Sequence, residues 1–136
     1  MSEIDLAWAA GIFEGEGWAG ICKAKRKDRP SGFQMLPEIT VSQNAEQKEM
    51  IEDLHRMFGG WKSGILLKHG TPTMVWQVSC RKALRVAQLI LPFCHTERKR
   101  KQLQTIIDYY GKMDNAYKQP SRIEGSERGS LEGSTL

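Results

Sequence analysis

The most constraining feature of the sequence is a stripe of small residues near its start. Ala7, Gly11 and Gly15 recur at every fourth position, so they share one face of a helix that we predict over residues 6–15, with Asp5 as its N-cap. Glycine costs about 1 kcal/mol relative to alanine inside a helix, and close packing of a second helix backbone would compensate for that cost. No other predicted helix carries a matching stripe. The stripe therefore predicts a homodimer with Ala7, Gly11 and Gly15 at a two-fold interface.

Two acidic residues, Glu14 and Glu16, follow at the C-terminal end of this predicted helix. The helix dipole is negative there, and a tight dimer would also bring the two Glu16 side chains towards each other. A divalent cation relieves both conflicts, and Mg²⁺ prefers carboxylate, carbonyl, water and phosphate oxygens. The alternative is a solvated acidic helix end beside flexible glycines. The stripe and the acids together favour the metal site.

The hydrophobic pattern of the remaining chain predicts an α+β fold. Segments typical of strands cover about residues 18–24, 33–42, 61–67 and 74–81. A helix is predicted between the second and third strands, and two helices, about residues 82–91 and 97–110, follow the fourth. Because each strand pair has one apolar and one polar face, we expect a four-stranded antiparallel sheet with helices on one face and the polar face open to a partner.

Composition and chain length set the broad class of the protein. The 136 residues suit one domain, and no apolar run is long enough to cross a membrane. We expect a domain over residues 1–112 and a flexible tail, rich in Ser, Gly and Glu, over residues 113–136. Acidic rather than basic residues precede the first apolar segment, so we expect a protein of the cytoplasm or of an organelle matrix or stroma, not a secreted one.

The distribution of cysteine and of charge narrows the function further. The three cysteines are widely spaced and form no CxxC pair, which argues against a zinc site or a disulfide framework. A net charge of +4 decides little by itself. Two basic clusters, at residues 23–29 and 98–101, indicate a polyanionic partner more clearly, although solvated surface clusters are the alternative.

The segment Ala9–Gly17, AAGIFEGEG, resembles the motif of the LAGLIDADG homing endonucleases. The resemblance covers about residues 4–112. It extends to the element order αββαββα, to Gln43 at the end of the second strand, and to Lys99-x-x-Gln102 in the last helix. One copy of the motif is typical of the single-motif branch of that family. The resemblance thus implies a homodimer that cuts double-stranded DNA at a long, nearly palindromic site by metal-assisted hydrolysis.

The resemblance also implies roles for individual residues. Glu16 matches the metal-binding acid, and Gly17 matches the position whose carbonyl oxygen adds a second ligand for Mg²⁺. Gln43 matches the residue that positions water beside the scissile phosphate. Lys99 matches the lysine that stabilises charge near the nucleophile. Its distance from the preceding proline is longer than in the family's pattern, so Lys101 is an alternative.

The polar face of the predicted sheet is expected to bind DNA in the motif's register. A two-stranded ribbon fits the major groove, where arginine and glutamine make bidentate contacts with bases. The residues expected to face the bases are Arg26, Gln34, Glu38, Thr40, Gln77, Ser79 and Arg81. The cations expected to bind phosphates are Lys25, Lys27, Arg29, Lys62 and Lys68. An ordinary solvated face is the alternative for Gln77 and Ser79.

Two other functions stay open at this point. One is a relative that does not cut DNA, either a maturase that binds intron RNA or a DNA-binding regulator with the same fold. The other is a dimeric interaction module whose acidic residues have no chemical role. Glu16, Gln43 and a candidate lysine together favour the nuclease. We expect no membrane partner and no small-molecule substrate.

Overall fold

The computed structural model describes residues 1–118, apart from the side chains of Lys68, Tyr117 and Lys118. The helices are α1 (Glu3–Glu16), α2 (Lys48–Phe58), α3 (Cys80–Ile90) and α4 (Glu97–Lys118). The strands are β1 (Gly17–Lys25), β2 (Phe33–Asn44), β3 (Trp61–Lys62), β4 (Leu66–Lys68) and β5 (Thr71–Ser79). Short 3₁₀ turns at Ala45–Gln47 and Leu91–Phe93 precede α2 and α4. The order of helices and strand pairs is the predicted one.

The sheet is antiparallel throughout, which confirms the predicted α+β class. β1, β2 and β5 are adjacent in that order, and both β3 and β4 pair with β5. The sheet has five strands rather than four because the predicted third strand is interrupted after Lys62. The interruption begins at the buried Ser63, whose hydroxyl, rather than a backbone carbonyl, accepts the Val75 N–H at 3.0 Å, while its own N–H donates to the Val75 carbonyl at 2.9 Å. A side chain thus replaces one bond of the strand ladder at this point.

One face of the sheet packs against the helices and forms the core. Ile39 and Val41 of β2 and Trp76 and Val78 of β5 are each no more than 1% exposed. The helices contribute buried residues that include Phe13, Ile51, Leu54, Ala83, Val86, Leu103 and Ile106. Complete burial of an aliphatic or aromatic side chain stabilises a protein by about 1.5–3 kcal/mol. This shared core therefore fixes α1 and α4 on the same side of the sheet.

Helix α1 begins earlier than predicted. Ser2 is its N-cap and forms a capping box with Asp5, in which each side chain accepts the other residue's backbone N–H. Asp5 therefore lies at the third helical position and is not the N-cap, because Ser2 takes that role. The helix ends at Glu16, and β1 starts at the next residue, Gly17. No loop separates the helix from the strand.

The predicted position of Arg81 on the last strand is wrong. β5 ends at Ser79, and Arg81 lies in the first turn of α3. Its guanidinium donates to both carboxylate oxygens of Asp114, at 2.8 and 3.2 Å, and lies 4.4 Å from the centre of the Tyr110 ring. Arg81 thus links α3 to α4. Because β5 ends before Arg81, the strand alternation that predicted a DNA-facing position does not apply to it.

Helix α4 continues to Lys118 instead of ending near Tyr110. Tertiary contacts explain the difference, because Met113 packs against the core and Asp114 pairs with Arg81. The first six residues of the predicted tail, 113–118, are therefore helical, and residues 119–136 lie outside the described part of the chain. No helix in residues 1–118, α4 included, is long and apolar enough to cross a membrane.

Candidate active site and nucleic-acid-binding face

Glu16, the last residue of α1, has an exposed carboxylate beside a surface cavity. Gln43, near the end of β2, lines the same cavity, so the structure brings these two predicted site residues together. The Glu16 carboxylate forms no hydrogen bond or ion pair with any of residues 1–118. It also lies at the negative end of the helix dipole. The charge of Glu16 is therefore available to an external cation.

Lys99, in the first turn of α4, is the candidate lysine that contacts the end of α1 and the start of β1. Its ammonium donates to the Gly17 carbonyl oxygen and lies 5.4 Å from the centre of the Phe13 ring. Both contacts are made near the junction of α1 and β1, and Gly17 directly follows Glu16 in the chain. Lys99 does not line the cavity that Glu16 and Gln43 share. Lys101 instead lies 3.4 Å from the Glu97 carboxylate, and both of those side chains are largely exposed. Of the two lysines that the sequence left open, the geometry favours Lys99.

Glu14 ties the end of α1 to the start of α4. Its carboxylate accepts the backbone N–H groups of Thr96 and His95, at 2.6 and 2.7 Å. These two residues directly precede α4, so Glu14 binds backbone donors that lead into the helix carrying Lys99. The Thr96 hydrogen bond contributes most to holding the pKa of the Glu14 carboxyl below its usual range.

The basic block at residues 98–101 is used mainly within the chain. Lys99 contacts Gly17 and Lys101 pairs with Glu97, as described above. Arg100 donates to the carbonyl oxygens of Leu91 and Cys94, at 3.0 and 2.9 Å, and so closes the 3₁₀ turn before α4. Three of the four cations thus have partners on the protein. These internal contacts explain why α4 starts with basic residues, and no bound phosphate is needed.

The oxygen donors of the site suit a hard cation. In the described part of the chain, no three side chains of His, Cys, Asp or Glu come together as a ligand set. Mg²⁺ typically binds one or two carboxylates and keeps waters or phosphate oxygens as its other ligands. The Glu16 carboxylate fits that pattern. The Gly17 carbonyl is the second candidate donor, although here it accepts the Lys99 ammonium.

The face of the sheet opposite the helices has a polar cluster at its centre. The Glu38 carboxylate accepts hydrogen bonds from Gln77 Nε2 and Cys22 Sγ, each at 3.4 Å. The Thr40 hydroxyl donates to Gln77 Oε1 at 3.5 Å. Ser79 lies opposite Glu38 in the strand register. Burial and the Glu38 carboxylate both raise the pKa of the Cys22 thiol. The predicted residues of this face therefore lie together and are joined by hydrogen bonds.

The turn between β1 and β2 carries the exposed basic cluster. Arg26 binds Asp28 through two hydrogen bonds, at 3.1 and 3.2 Å, and also donates to Gln34 on β2. The neighbouring cations, all exposed, are Lys25, Lys27 and Arg29. Lys62, on β3, is exposed as well. Lys68 belongs to β4, but its side chain lies outside the described part of the structure.

The small-residue stripe of α1 is exposed. Ala7, Gly11 and Gly15 all face solvent, whereas Ala10 and Phe13 on the opposite side of the helix are buried. Outside the adjoining turns, no atom of residues 1–118 lies within 4 Å of the place where a Cβ at Gly11 or Gly15 would stand. The stripe therefore leaves room for a neighbouring helix to approach closely.

Sequence reasoning missed three contributors to this region. The contacts of Glu14 with His95 and Thr96 join residues about eighty positions apart, so no local pattern reveals them. Gln102 was noted only as part of the Lys99-x-x-Gln102 pattern, and its contact was missed: its side-chain oxygen accepts the Ala19 N–H at 2.9 Å and links α4 to β1. Trp18 is exposed on the outer face of the sheet, and alternation from the buried Gly17 would have placed it there.

Comparison of the structure with known proteins identifies the fold. No protein-family model and no curated protein matches the sequence. The homing endonuclease I-CvuI, solved with its target and Ca, matches with a TM-score of 0.70 at 21% identity, over 84% of this chain and 70% of that chain. The group I intron-encoded homing endonuclease I-CeuI, complexed with DNA, matches with a TM-score of 0.70 at 19% identity, over 87% and 59%. The LAGLIDADG homing endonuclease I-LtrWI, bound to target DNA, matches with 0.67 at 17%, over 83% and 39%. This chain therefore has the fold of the LAGLIDADG homing endonucleases, as its first helix predicts.

Proposed function

We propose that the chain is a site-specific DNA endonuclease that cuts both strands as a homodimer, with Mg²⁺ bound at Glu16. One observation carries the proposal: Glu16 and Gln43 line one cavity beside a helix face open to a second copy. Lys99 contacts Gly17, the residue that follows Glu16. The similarity to I-CvuI solved with its target and to I-CeuI complexed with DNA supports duplex DNA as the substrate.

The dimer is supported by the exposed face of α1. Each exposed helical glycine weakens the helix by about 1 kcal/mol relative to alanine, and close packing of a partner helix offsets that loss. Trp8 of α1 and Met50 of α2 line the cavity beside the stripe, so a docked helix would also bury apolar surface. A two-fold axis through Gly11 and Gly15 brings the two copies of Glu16 close to each other.

The residues of the site divide the tasks of phosphodiester hydrolysis. Glu16 would hold Mg²⁺, which would supply a water of lowered pKa and stabilise charge on the phosphate oxygens. The Gln43 amide has both donors and an acceptor, so it can orient the attacking water. The Lys99 ammonium, which contacts the Gly17 carbonyl and the Phe13 ring, can stabilise the negative charge near the nucleophile.

The outer face of the sheet supplies the recognition surface. A strand pair fits the major groove, and the amide of Gln77 and the hydroxyl of Thr40 can exchange their mutual hydrogen bond for bonds to base edges. The exposed cations of the β1–β2 turn lie at one end of this face, where they can bind phosphates and position the protein without reading sequence. Specific and non-specific contacts thus come from different parts of one surface.

A cleavage assay with the full chain tests the proposal. The substrate is duplex DNA made by joining the two sequences that flank its gene, incubated with Mg²⁺ or with Ca²⁺. We expect double-strand cuts in Mg²⁺ by the wild type and by Glu52→Gln, a matched change of an exposed carboxylate on α2. Glu16→Gln should bind this DNA without cutting it. Binding without cleavage by the wild type would overturn the nuclease, and preferential binding of RNA would favour a maturase.

A further inference from the structure

One row across the outer face of the sheet has a tryptophan at each end. The register pairs Trp18 with Thr40, Thr40 with Gln77, and Gln77 with Trp61. Directly paired residues of antiparallel strands project to the same side of the sheet. Trp18 is 43% exposed and Trp61 is 55% exposed, whereas Trp76, on the core side, is 1% exposed. The two outer indoles therefore flank a polar centre.

Glycines hold both tryptophans in place. A Cβ at Gly20 would lie 2.6 Å from Cζ2 of Trp18, so the indole rests directly on the backbone of β1. At the other end of the row, Gly60 has φ +91°, and a Cβ there would lie 2.6 Å from the Gln77 carbonyl oxygen. Glycine thus lets β3 lie close against β5, and this contact sets Trp61 opposite Gln77.

The spacing of the row matches the major groove. Trp18 and Trp61 are separated by three strand spacings, which puts their Cα atoms about 14 Å apart. The major groove of B-form DNA is about 12 Å wide. With Thr40 and Gln77 facing the base edges, the indoles meet the walls of the groove, which consist of deoxyribose and phosphate. An indole offers an apolar face and one N–H donor, which suit a sugar ring and a phosphate oxygen.

We propose that Trp18 and Trp61 contact the two sugar-phosphate backbones that border the major groove, on either side of Thr40 and Gln77. The inference rests on the proposed function, because it requires duplex DNA on this face. The contacts are uncharged, so they release no counterions, in contrast to the contacts of lysine and arginine. They also touch no base edge. This tryptophan pair therefore strengthens binding to any duplex sequence, by a factor that does not depend on salt.

Salt titration of DNA binding separates this role from the others. The probe is a labelled duplex of random sequence, with Ca²⁺ in place of Mg²⁺, and binding is followed by fluorescence anisotropy at several salt concentrations. Trp18→Ala and Trp61→Ala should each weaken binding about tenfold at every salt concentration. The slope of log K against log salt should not change. Lys25→Ala, a charged control at the end of β1, should instead reduce that slope by about one for each phosphate that Lys25 neutralises.

Two further variants complete the test. One displaces an intact indole, and the other removes an exposed apolar side chain that does not belong to the row. Gly20→Ala keeps Trp18 but pushes its ring off β1, so it should weaken binding as Trp18→Ala does. Leu67→Ala removes another exposed apolar side chain, 75% exposed on β4, and should leave binding unchanged. Should either alanine variant fail to fold, Trp18→Phe and Trp61→Phe keep a ring and should show a smaller loss with the same slope.

Several outcomes would overturn the inference. These are unchanged affinity in both tryptophan variants, a changed salt slope, a loss confined to particular DNA sequences, or a loss seen only with single-stranded RNA. The last two would mean that the indoles read bases or stack on them. If the wild type cuts its DNA while the tryptophan variants bind like the wild type, only this inference fails. If the wild type binds no duplex DNA, the proposed function itself fails.

Discussion

Glu14 and Glu16 lie two positions apart at the end of α1, yet their surroundings differ completely. The Glu14 carboxylate accepts two backbone N–H groups and thereby fixes the approach to α4. The Glu16 carboxylate is exposed and has no partner within residues 1–118. The helix dipole disfavours both charges, but only Glu14 is compensated by the fold. A carboxylate that a protein leaves uncompensated in such a place is the one available for chemistry.

The strongest test of this contrast is Glu16→Gln. We expect cleavage to fall about a thousandfold or more, because the amide cannot bind the cation as the carboxylate does. The melting temperature should not fall, since the Glu16 carboxylate forms no hydrogen bond or ion pair within residues 1–118 and its charge opposes the helix dipole. Cleavage and thermal denaturation measured on one preparation check the expected loss of activity and the expected melting temperature. A variant that still cuts at the wild-type rate would remove Glu16 from the site.

A smaller effect is expected at the helix face beside Glu16. Gly15→Leu should weaken dimerisation about a hundredfold, because a large side chain prevents close approach of the helix backbones. Sedimentation equilibrium measures this loss. Gly111→Leu is the matched control, because Gly111 is an exposed helical glycine on α4 with the same free space around it. An unchanged dimer in Gly15→Leu would place the interface elsewhere.

Lys99→Met tests what the lysine of α4 contributes to cleavage beside Glu16. We expect cleavage to fall about a hundredfold, because a positive charge near the nucleophile is removed while the apolar stem remains. Single-turnover cleavage with saturating enzyme measures the change. Lys101→Met, two residues along the helix, should cleave like the wild type because that side chain points to Glu97. The reverse result would assign the role to Lys101.

Glu14→Gln should act on stability more than on chemistry. Replacing a charged acceptor of two backbone N–H groups by a neutral one should lower the free energy of unfolding by about 1 kcal/mol, a figure reduced because the site is partly exposed. Urea denaturation measures it, with Glu52→Gln as the control. Equal stability of Glu14→Gln and the wild type would show that the hydrogen bonds of Glu14 to His95 and Thr96 do not contribute to the free energy of unfolding.

The pH dependence of stability gives the smallest and most specific signal. The pKa of Glu14 in the folded protein is below its ordinary value of 4.5, so its ionised form stabilises the fold above that pH. The stabilisation should disappear as the pH falls through the folded-state pKa. Wild type and Glu14→Gln should therefore differ in unfolding free energy at neutral pH and converge as the pH falls below the folded-state pKa of Glu14. A difference that persists in acid would contradict this assignment.

Local patterns in the sequence predicted much of this molecule. Strand alternation correctly placed Glu38, Thr40 and Gln77 on one face, because the side-chain period of a strand depends only on neighbouring residues. The stripe Ala7, Gly11 and Gly15 was correctly placed on one exposed helix face for the same reason. The element order followed from the same periodicities.

Long-range contacts account for what the sequence did not predict. A strand is interrupted at Ser63, whose hydroxyl accepts a hydrogen bond from Val75, and only the folded sheet brings these residues together. Arg81 enters α3 and binds Asp114, and that pairing lengthens α4 beyond its predicted end. The choice between Lys99 and Lys101 also needed the position of Gly17 in space. Each of these depends on partners that no local period encodes.

The direct passage from Glu16 at the end of α1 to Gly17 at the start of β1 has a consequence for the proposed nuclease. Because no loop separates Glu16 from β1, and β1 pairs directly with β2, the carboxylate has a fixed position relative to the base-facing residues of the sheet. In the proposed nuclease, this geometry would set the distance between the cut and the recognised bases. A relative with altered side chains on the outer face of β2 and β5 would change which sequence is cut but not how far from it the break falls. Only an insertion between α1 and β1 would change that distance.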